Sequence, residues 1–363
     1  MTTRIGFPGL GIEMFEMNRT AFTVFGVDIQ WYGILLSTGI VLAFLLFYRL
    51  GTKREHIKAD DIYNVTLFTV PVATIGARLV YVITNWDSYK GKGFLNMINI
   101  RGGGIAIYGA IIFGLLTVIV YNRVKKVGTL SMLDALAPAV MLGQTIGRWG
   151  NFVNGEAYGW SEGVEKLPWR MQLDHTVLIQ VNATEVRSTG SFFAHPTFLY
   201  ESLWNLVGLC IILFVFYRRK KFNGQIFLAY MGWYGLGRGF IEMLRTDSLY
   251  ITGTSVKFSV FTGFLCLAAA IVMWVVLSRR ARAQRESVAE YKSEFAAAAI
   301  AVSRESDALD DSVFCRRKRA SLPRRTPPHG ILRQRLFRRS GCSLPALRIA
   351  AVVRFLFGGV VAG

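Results

Sequence analysis

The chain has 363 residues, of which 52% are hydrophobic and 18% charged, with a formal net charge of +19. A soluble globular protein carries about 25% charged residues and is less apolar, so the composition argues against a soluble enzyme. The positive charge does not suit nucleic acid either, because it lies in short clusters between long apolar runs.

Residues 1–28 lack the basic start, single apolar block and small-residue cleavage site of a signal peptide. They alternate polar and apolar residues, with Phe7, Phe15, Phe22 and Phe25 among them, and read as an outer-face segment lying in the membrane interface. A membrane span needs about 20 mostly apolar residues. Seven runs meet that length: 29–48, 62–83, 104–121, 130–146, 196–217, 225–244 and 258–277. The fourth is the weakest, interrupted by Asp134 and Pro138. Basic clusters follow every second run: Arg49, Lys53, Arg54 and Lys58; Arg123, Lys125 and Lys126; Arg218, Arg219, Lys220 and Lys221; Arg279, Arg280, Arg282 and Arg285. The intervening loops are mixed or acidic, with Asp87 beside Lys90 and Lys92, Asp247 beside Arg245, and Glu162, Glu165, Asp174 and Glu185 in the longest. Lys and Arg concentrate on the cytoplasmic side. The alternation therefore predicts an outside N-terminus, a cytoplasmic C-terminus and a multi-pass membrane protein.

The expected fold is an all-α polytopic membrane protein of about seven transmembrane helices. A small mixed head of about two strands is expected on the outer face at 149–195, between spans four and five. The membrane domain covers 29–280. The basic cytoplasmic tail, 281–363, reads as helix to about 303 and as disordered or surface-bound from about 307, with an apolar but arginine-interrupted end at 349–363. The cysteines, Cys210, Cys266, Cys315 and Cys342, have no metal-site or disulfide-framework spacing, so neither a metal nor another cofactor is expected.

Several polar residues stand where lipid-facing helices would not carry them. Tyr32 follows Trp31 at the start of the first span, where an aromatic interface anchor and a pocket wall are both open readings. Arg78 lies mid-span, where a charge costs about 2.5–3.5 kcal/mol and so faces a partner or a wet cavity. Glu201 and Glu242 are possible partners for it. Arg101-Gly102-Gly103-Gly104 precedes Tyr108 and reads either as an anion-binding turn or as a plain hairpin. The fourth run then leads into Gly147-Arg148-Trp149-Gly150-Asn151-Phe152-Val153-Asn154-Gly155-Glu156-Ala157-Tyr158-Gly159. Its glycines disfavour a continuous helix, so the sequence predicts a helix end and an irregular turn. Such backbone is tolerated at membrane depth only in a protein-lined or wet cavity. Further on, His195-Pro196 opens the fifth span, with Glu201 one turn inside it. In the sixth, Tyr234, Arg238, Glu242 and Arg245 step by four, four and three along one helical stripe.

Arginine presents a planar fork that grips phosphate at two points, and the phosphate available at membrane depth is a phospholipid headgroup. No Walker loop, HExxH, GxSxG or paired catalytic aspartates occur, so a hydrolase or ATP-driven pump is not indicated. A transporter would show broken spans at matching places in two halves, and only one broken segment is present.

Gly147-Arg148-x-Gly150-Asn151-Phe152-x-Asn154-x-Glu156-x-x-Gly159 resembles the central motif of bacterial prolipoprotein diacylglyceryl transferases. The resemblance extends to Phe7-Pro8-Gly9-Leu10-Gly11, Trp31-Tyr32-Gly33 and Gly103-Gly104-Ile105-Ala106-Ile107-Tyr108-Gly109. It continues through His195-Pro196-x-x-Leu199-Tyr200-Glu201 and Arg238-x-x-x-Glu242, covering about residues 5–280. It implies transfer of the diacylglyceryl group of phosphatidylglycerol to the lipobox cysteine thiol of a preprolipoprotein. A thioether forms and glycerol phosphate is released. By position, Arg148 would bind the lipid phosphate and Asn151 and Asn154 would orient headgroup oxygens. Glu156 would fix Arg148 or the loop, and Gly159 the turn. Arg238 and Glu242 would form a second catalytic wall, Tyr32 and Tyr234 would line the pocket, and Arg78, His195 and Glu201 complete the candidate lipid-binding set. Some members carry histidine where this chain has Tyr108. A phenol, with a pKa of about 10, is a poor base at neutral pH, so either Tyr108 orients substrate or the thiol is deprotonated by other means.

Overall fold

The structure, a computed structural model, describes residues 2–320 apart from 92, 100–103, 175–176, 182–183, 189, 249 and 251–253. The glycine turn at 101–103, Lys92, Cys342 and the tail at 321–363 thus lie outside the described residues. The chain divides into two units, Met1–Tyr291 and Lys292–Gly363, and the elements that build the site lie in the first.

The helices are α1 (Trp31–Lys53), α2 (Ala59–Thr84), α3 (Trp86–Tyr89), α4 (Phe94–Ile98), α5 (Ile107–Lys125), α6 (Thr129–Asn154), α7 (Thr197–Ile211), α8 (Gln225–Leu244) and α9 (Phe258–Ala320). A π-helical turn, Ile212–Phe216, and a 3-10 turn, Tyr217–Arg219, extend α7. Among the described residues, six helices are long and apolar enough to cross a membrane: α1, α2, α5, α6, the extended α7 and the Phe258–Ala301 part of α9. The 20-residue α8 is not among them, since Gly232, Gly235, Gly237, Gly239, Arg238 and Glu242 lower its apolar content. The apolar side chains point outward. Ile40, Val41 and Leu45 on α1, Leu67 and Ile75 on α2, and Ile112 and Leu116 on α5 are all exposed, whereas Arg78, Asp134, Glu201 and Glu242 are buried. This is a multi-pass membrane protein, with lipid as the outer solvent. Inside, Phe47, Leu50, Ile62, Val65, Met132, Met141, Ile212 and Ile226 form one core that joins α1, α2, α6, α8 and the extended α7.

Three features differ from the sequence reading. The fourth span does not end near 146 in an irregular turn, because α6 continues to Asn154. Helix-breaking by glycine reflects solvated backbone and lost entropy, and here Gly150 is buried against the Tyr32 ring. The helix stops at Gly155, which is left-handed (φ 61°) and donates its N–H to the Asn151 and Phe152 carbonyls, a glycine C-cap.

Second, the N-terminal segment is β-structure. Strands β1 (Thr2–Phe7), β2 (Ile12–Asn18), β3 (Thr20–Val24) and β4 (Val27–Gln30) precede α1, while β5 (Met171–Asp174), β6 (Val177–Val181), β7 (Thr184–Ser188) and β8 (Ser191–Ala194) lie between α6 and α7. One sheet has the order β2-β1-β5-β8, with β3-β4 and β6-β7 as separate hairpins. The head is therefore shared between the N-terminus and the 171–194 segment. Buried Thr3 and Ile5 alternate with exposed Arg4, the period of a strand. Ile5, Met171, Leu173 and Ala194 pack on Tyr158 and Phe198, which seats the sheet on the loop after α6 and the start of α7.

Third, the tail is helical to Ala320, past the break expected near 307, since 304–320 holds no glycine or proline and the first proline of the tail is Pro323.

Candidate active site

The C-terminal ends of α6 and α8 and the first turns of α7 meet at Glu201. Arg148, from α6, places Nη2 2.5 Å from Glu201 Oε2. Arg238, from α8, places Nη1 3.4 Å from Glu201 Oε1, and Arg245, just past the end of α8, reaches the same oxygen at 3.3 Å. The second carboxylate, Glu242, takes Arg238 Nη2 at 2.9 Å and lies 3.7 Å from Arg245 Nε. Ser248 Oγ donates to its Oε1 at 2.8 Å. Glu242 is only 2% exposed and Glu201 7%, against 21% for Arg148, 17% for Arg238 and 10% for Arg245. The stripe read from the sequence of α8 thus gathers Arg238, Glu242 and Arg245 on one wall, and Arg148 faces them across Glu201.

Asp247 completes the charge balance. Arg245 donates to it through Nε at 3.0 Å and Nη2 at 2.8 Å, a two-point pair. Burial alone would raise the Asp247 carboxyl, but these bonds hold it below the usual carboxylate range. Burial likewise pulls Arg245 down, yet Asp247 keeps it above the ordinary arginine value. Three arginines balance three carboxylates, and Lys257, whose Nζ donates to the carbonyls of Glu242, Met243 and Arg245 at 2.6–3.0 Å, leaves the cluster with a positive excess.

The end of α6 carries the second part. Glu156 Oε1 accepts from Asn151 Nδ2 and from Asn154 Nδ2, each at 3.1 Å. Arg148 reaches Asn151 Oδ1 at 3.4 Å. Glu156 therefore fixes the two asparagines directly and Arg148 only through Asn151. Arg19 also donates to the Asn154 carbonyl at 2.8 Å, tying the N-terminal segment to this helix end. Gly159 is the junction of the site. It exchanges both backbone bonds with His195 and bridges to Arg245, and a Cβ on it would come within 2.9 Å of the Leu244 carbonyl oxygen.

The remaining predicted residues are placed as follows. Tyr32 lays its ring on Gly150, under the turn that carries Arg148 and Asn151. Tyr234 stacks on Tyr230, 5.9 Å between centroids, within electrostatic reach of Arg238, Arg148, Glu201 and Tyr108. Tyr108, in the first turn of α5, has its hydroxyl 3.4 Å from Ser259 Oγ and its ring edge-on to Phe258. His195 is buried, with Nε2 2.7 Å from Ser161 Oγ and Nδ1 3.3 Å from the Tyr200 hydroxyl. Burial lowers its pKa, favouring the neutral ring, and those contacts are with Ser161 of the loop and Tyr200 of α7 rather than with the arginines. Arg78 does not join the cluster either. Glu201 and Glu242, its possible partners, are taken by other arginines, and Arg78 donates to the carbonyls of Met97, Asn96 and Gly104 at 2.8–2.9 Å and to the Tyr89 hydroxyl at 3.2 Å. It holds the α3–α4 segment onto α2. Sequence reasoning set Arg245 on the stripe as part of a polar cavity wall, as the structure has it, and overlooked Asp247, Ser248 and Ser259. The run Arg245-Thr246-Asp247-Ser248 directly after an apolar helix is the signal that points to the first two.

The profile of the prolipoprotein diacylglyceryl transferase family matches residues 19–276. The chain belongs to that family. Among the relatives it resembles, the phosphatidylglycerol–prolipoprotein diacylglyceryl transferase of Finegoldia magna is 45% identical over 235 residues, 65% of this chain and 86% of the relative. The protein of the same name from Clostridioides difficile is 43% identical over 235 residues, with the same coverage. That from Clostridium kluyveri is 39% identical over 269 residues, 73% of this chain and 99% of the relative. The family match takes in α1 to α8, the apolar part of α9 as far as residue 276, and all three arginines of the cluster.

Proposed function

We propose that the chain transfers the diacylglyceryl group of phosphatidylglycerol to the lipobox cysteine thiol of preprolipoproteins, the first step of lipoprotein maturation. The observation that carries the proposal is the convergence of Arg148, Arg238 and Arg245 on Glu201 and Glu242 in a chain of this family. In the reaction the thiolate sulfur bonds to the terminal glycerol carbon of the diacylglyceryl group. The carbon–oxygen bond to phosphate breaks, the electron pair leaves with the phosphate oxygen, and the thiol proton passes to solvent. Charge grows on the departing phosphate, so preorganised cations lower the barrier.

Arg148 binds the phosphate and Asn151 and Asn154 orient headgroup oxygens, with Glu156 and Gly159 holding their turn. Arg238 and Glu242 form the opposite wall, which Arg245 extends. Tyr32 and Tyr234 line the pocket. Tyr108, bonded to Ser259 rather than to a carboxylate, orients substrate, and the positive potential of the arginines favours the thiolate. Glu201 sets the spacing of the arginines, while Arg78 and His195 support the site from outside the cluster. The enzyme crosses the bacterial plasma membrane seven times, α8 included, with the site at the outer face and the C-terminus in the cytoplasm. The basic clusters after alternate spans support this orientation, which lets an exported cysteine meet an outer-leaflet lipid. The segments 1–28 and 149–195 form the outer-face portion.

The test is purified protein in phosphatidylglycerol vesicles with a lipobox peptide. The peptide is expected to gain the mass of one diacylglyceryl group and to release one glycerol phosphate. Phosphatidylglycerol left unconsumed, or cleaved without peptide modification, would overturn the proposal.

A further inference from the structure

At the opposite end of the bundle from the arginine cluster, Asp134 of α6 is fully buried. Its Oδ2 accepts the Gly224 N–H at 2.7 Å and its Oδ1 the Phe227 N–H at 2.9 Å. Gly224 precedes α8 and Phe227 is its third residue, so these are two of the donors that a helix start leaves without intrahelical partners. A helix is ordinarily capped by its own N-cap side chain. Gly224 has none, and α6 supplies the carboxylate instead. Lys220 Nζ lies 2.7 Å from Asp134 Oδ2 and 2.5 Å from Glu55 Oε2, and the Tyr217 hydroxyl donates to the Asp134 carbonyl at 2.8 Å. Asp134 thus ties the start of α8 to α6, to the end of the extended α7 and, through Lys220, to the chain after α1.

We propose that Asp134 is a positioning residue for the transferase, fixing the height of α8 along α6 so that Arg238 and Glu242 meet Arg148 and Glu201. The inference rests on the proposed function. Both helices run the same way from this anchor, and an α-helix rises about 1.5 Å per residue. Arg148 is therefore about 21 Å along α6 from Asp134, and Arg238 and Glu242 are about 16 and 22 Å along α8 from Phe227. The two walls of the site are level because they are measured from one carboxylate. At its far end α8 is tied to the loop after α6, where the Leu244 carbonyl accepts the Trp160 N–H at 2.8 Å, while its contact with α9 holds its height weakly. Its glycines at 232 and 235 face α9, where Gly235 packs on the Gly263 carbonyl and offers no side chain to interlock. The Trp204 and Trp233 indoles each donate to the other's carbonyl, at 3.0 and 2.9 Å, so α7 and α8 travel together. Gln144 meets the Tyr230 hydroxyl at 3.0 Å, a bond between two side chains, whereas Asp134 joins the backbone of α8 directly to α6.

The experiment compares wild type, Asp134→Ala and Asp134→Asn in phosphatidylglycerol vesicles. It reads kcat and KM for the lipid, the melting temperature in detergent, and amide exchange at the start of α8. A displacement of about 1 Å is worth on the order of a hundredfold in rate, so Asp134→Ala is expected to lose at least about tenfold in kcat with KM nearly unchanged and faster exchange at Gly224 and Phe227. Asparagine keeps one of the two acceptors and turns an NH2 donor toward the other N–H and Lys220, so Asp134→Asn is expected between wild type and Asp134→Ala in kcat and in exchange. Unchanged kcat or unchanged exchange in Asp134→Ala, a loss confined to KM, or an Asp134→Asn with wild-type kcat and exchange would each overturn the proposal. Should Asp134→Ala not be recovered folded, Asp134→Asn decides: a folded variant with wild-type kcat and exchange overturns it, and one with lowered kcat, unchanged KM and faster exchange at Gly224 or Phe227 supports it. An inactive wild type would remove the functional reading, while amide exchange would still report on the anchor.

Discussion

Glu201 carries more of the site than its place in the sequence implies. Three guanidinium groups converge on one carboxylate that is 7% exposed, and removing one partner from a buried pair costs about 3–5 kcal/mol because the others stay dehydrated. Glu201→Gln preserves shape but leaves the arginines short of one charge. It is expected to lower the melting temperature in detergent and to reduce kcat/KM by at least about tenfold, the effect of only about 1.4 kcal/mol on the barrier. A variant with wild-type melting and transfer would contradict that role. His195 gives a pH-dependent counterpart. Its folded pKa is lowered by burial, so between the folded and unfolded values the unfolded chain binds more protons and stability rises with pH. Its contribution is complete above the unfolded value of about 6.5 and is lost as pH falls through the folded one. Wild type should lose melting temperature more steeply than His195→Gln as pH is lowered from 7.5 to 5.5. Most residues of the cluster were legible as charges that lipid would not tolerate. Their pairing was not: Arg78 has the same warrant as Arg148, and only the fold shows that one meets backbone carbonyls and the other Glu201.

Helices α6 and α8 show where element-scale reasoning succeeds and where it fails. The spacing of Tyr234, Arg238, Glu242 and Arg245 is a property of one helix, so one wall of the site could be read directly. The continuation of α6 to Asn154 was hidden because Gly150 makes room for the Tyr32 ring, and helix propensities describe an isolated helix. Strand β1 pairs with β5, some 170 residues away, and no local pattern announces such a partner. Close approach also makes α8 fragile. A Cβ on Gly237 would lie 2.2 Å from Trp204 Nε1, and that ring is fixed by its bond to the Trp233 carbonyl and its stack on the Trp233 indole. Gly237→Val is expected to destabilise by about 1–3 kcal/mol, the range of overpacked cores, and to reduce transfer by displacing the adjacent Arg238. Thermal unfolding and the transfer assay, run on the same preparation, check both.

For the whole molecule, the composition and the outward-facing apolar side chains agree on a protein solvated by lipid. The helix count was less legible. Among the described residues six helices are apolar enough to cross, and α8 falls outside that set because the residues that build the site make it polar. The account therefore turns on whether the arginine cluster handles a lipid phosphate. The most direct measurement is thioether formation on a lipobox peptide added outside phosphatidylglycerol vesicles that contain either wild type or Arg148→Ala in equal inserted amounts. The account predicts transfer by wild type and a loss of at least about a hundredfold in the variant, as for removal of one preorganised donor. Equal rates from the two proteins would contradict it.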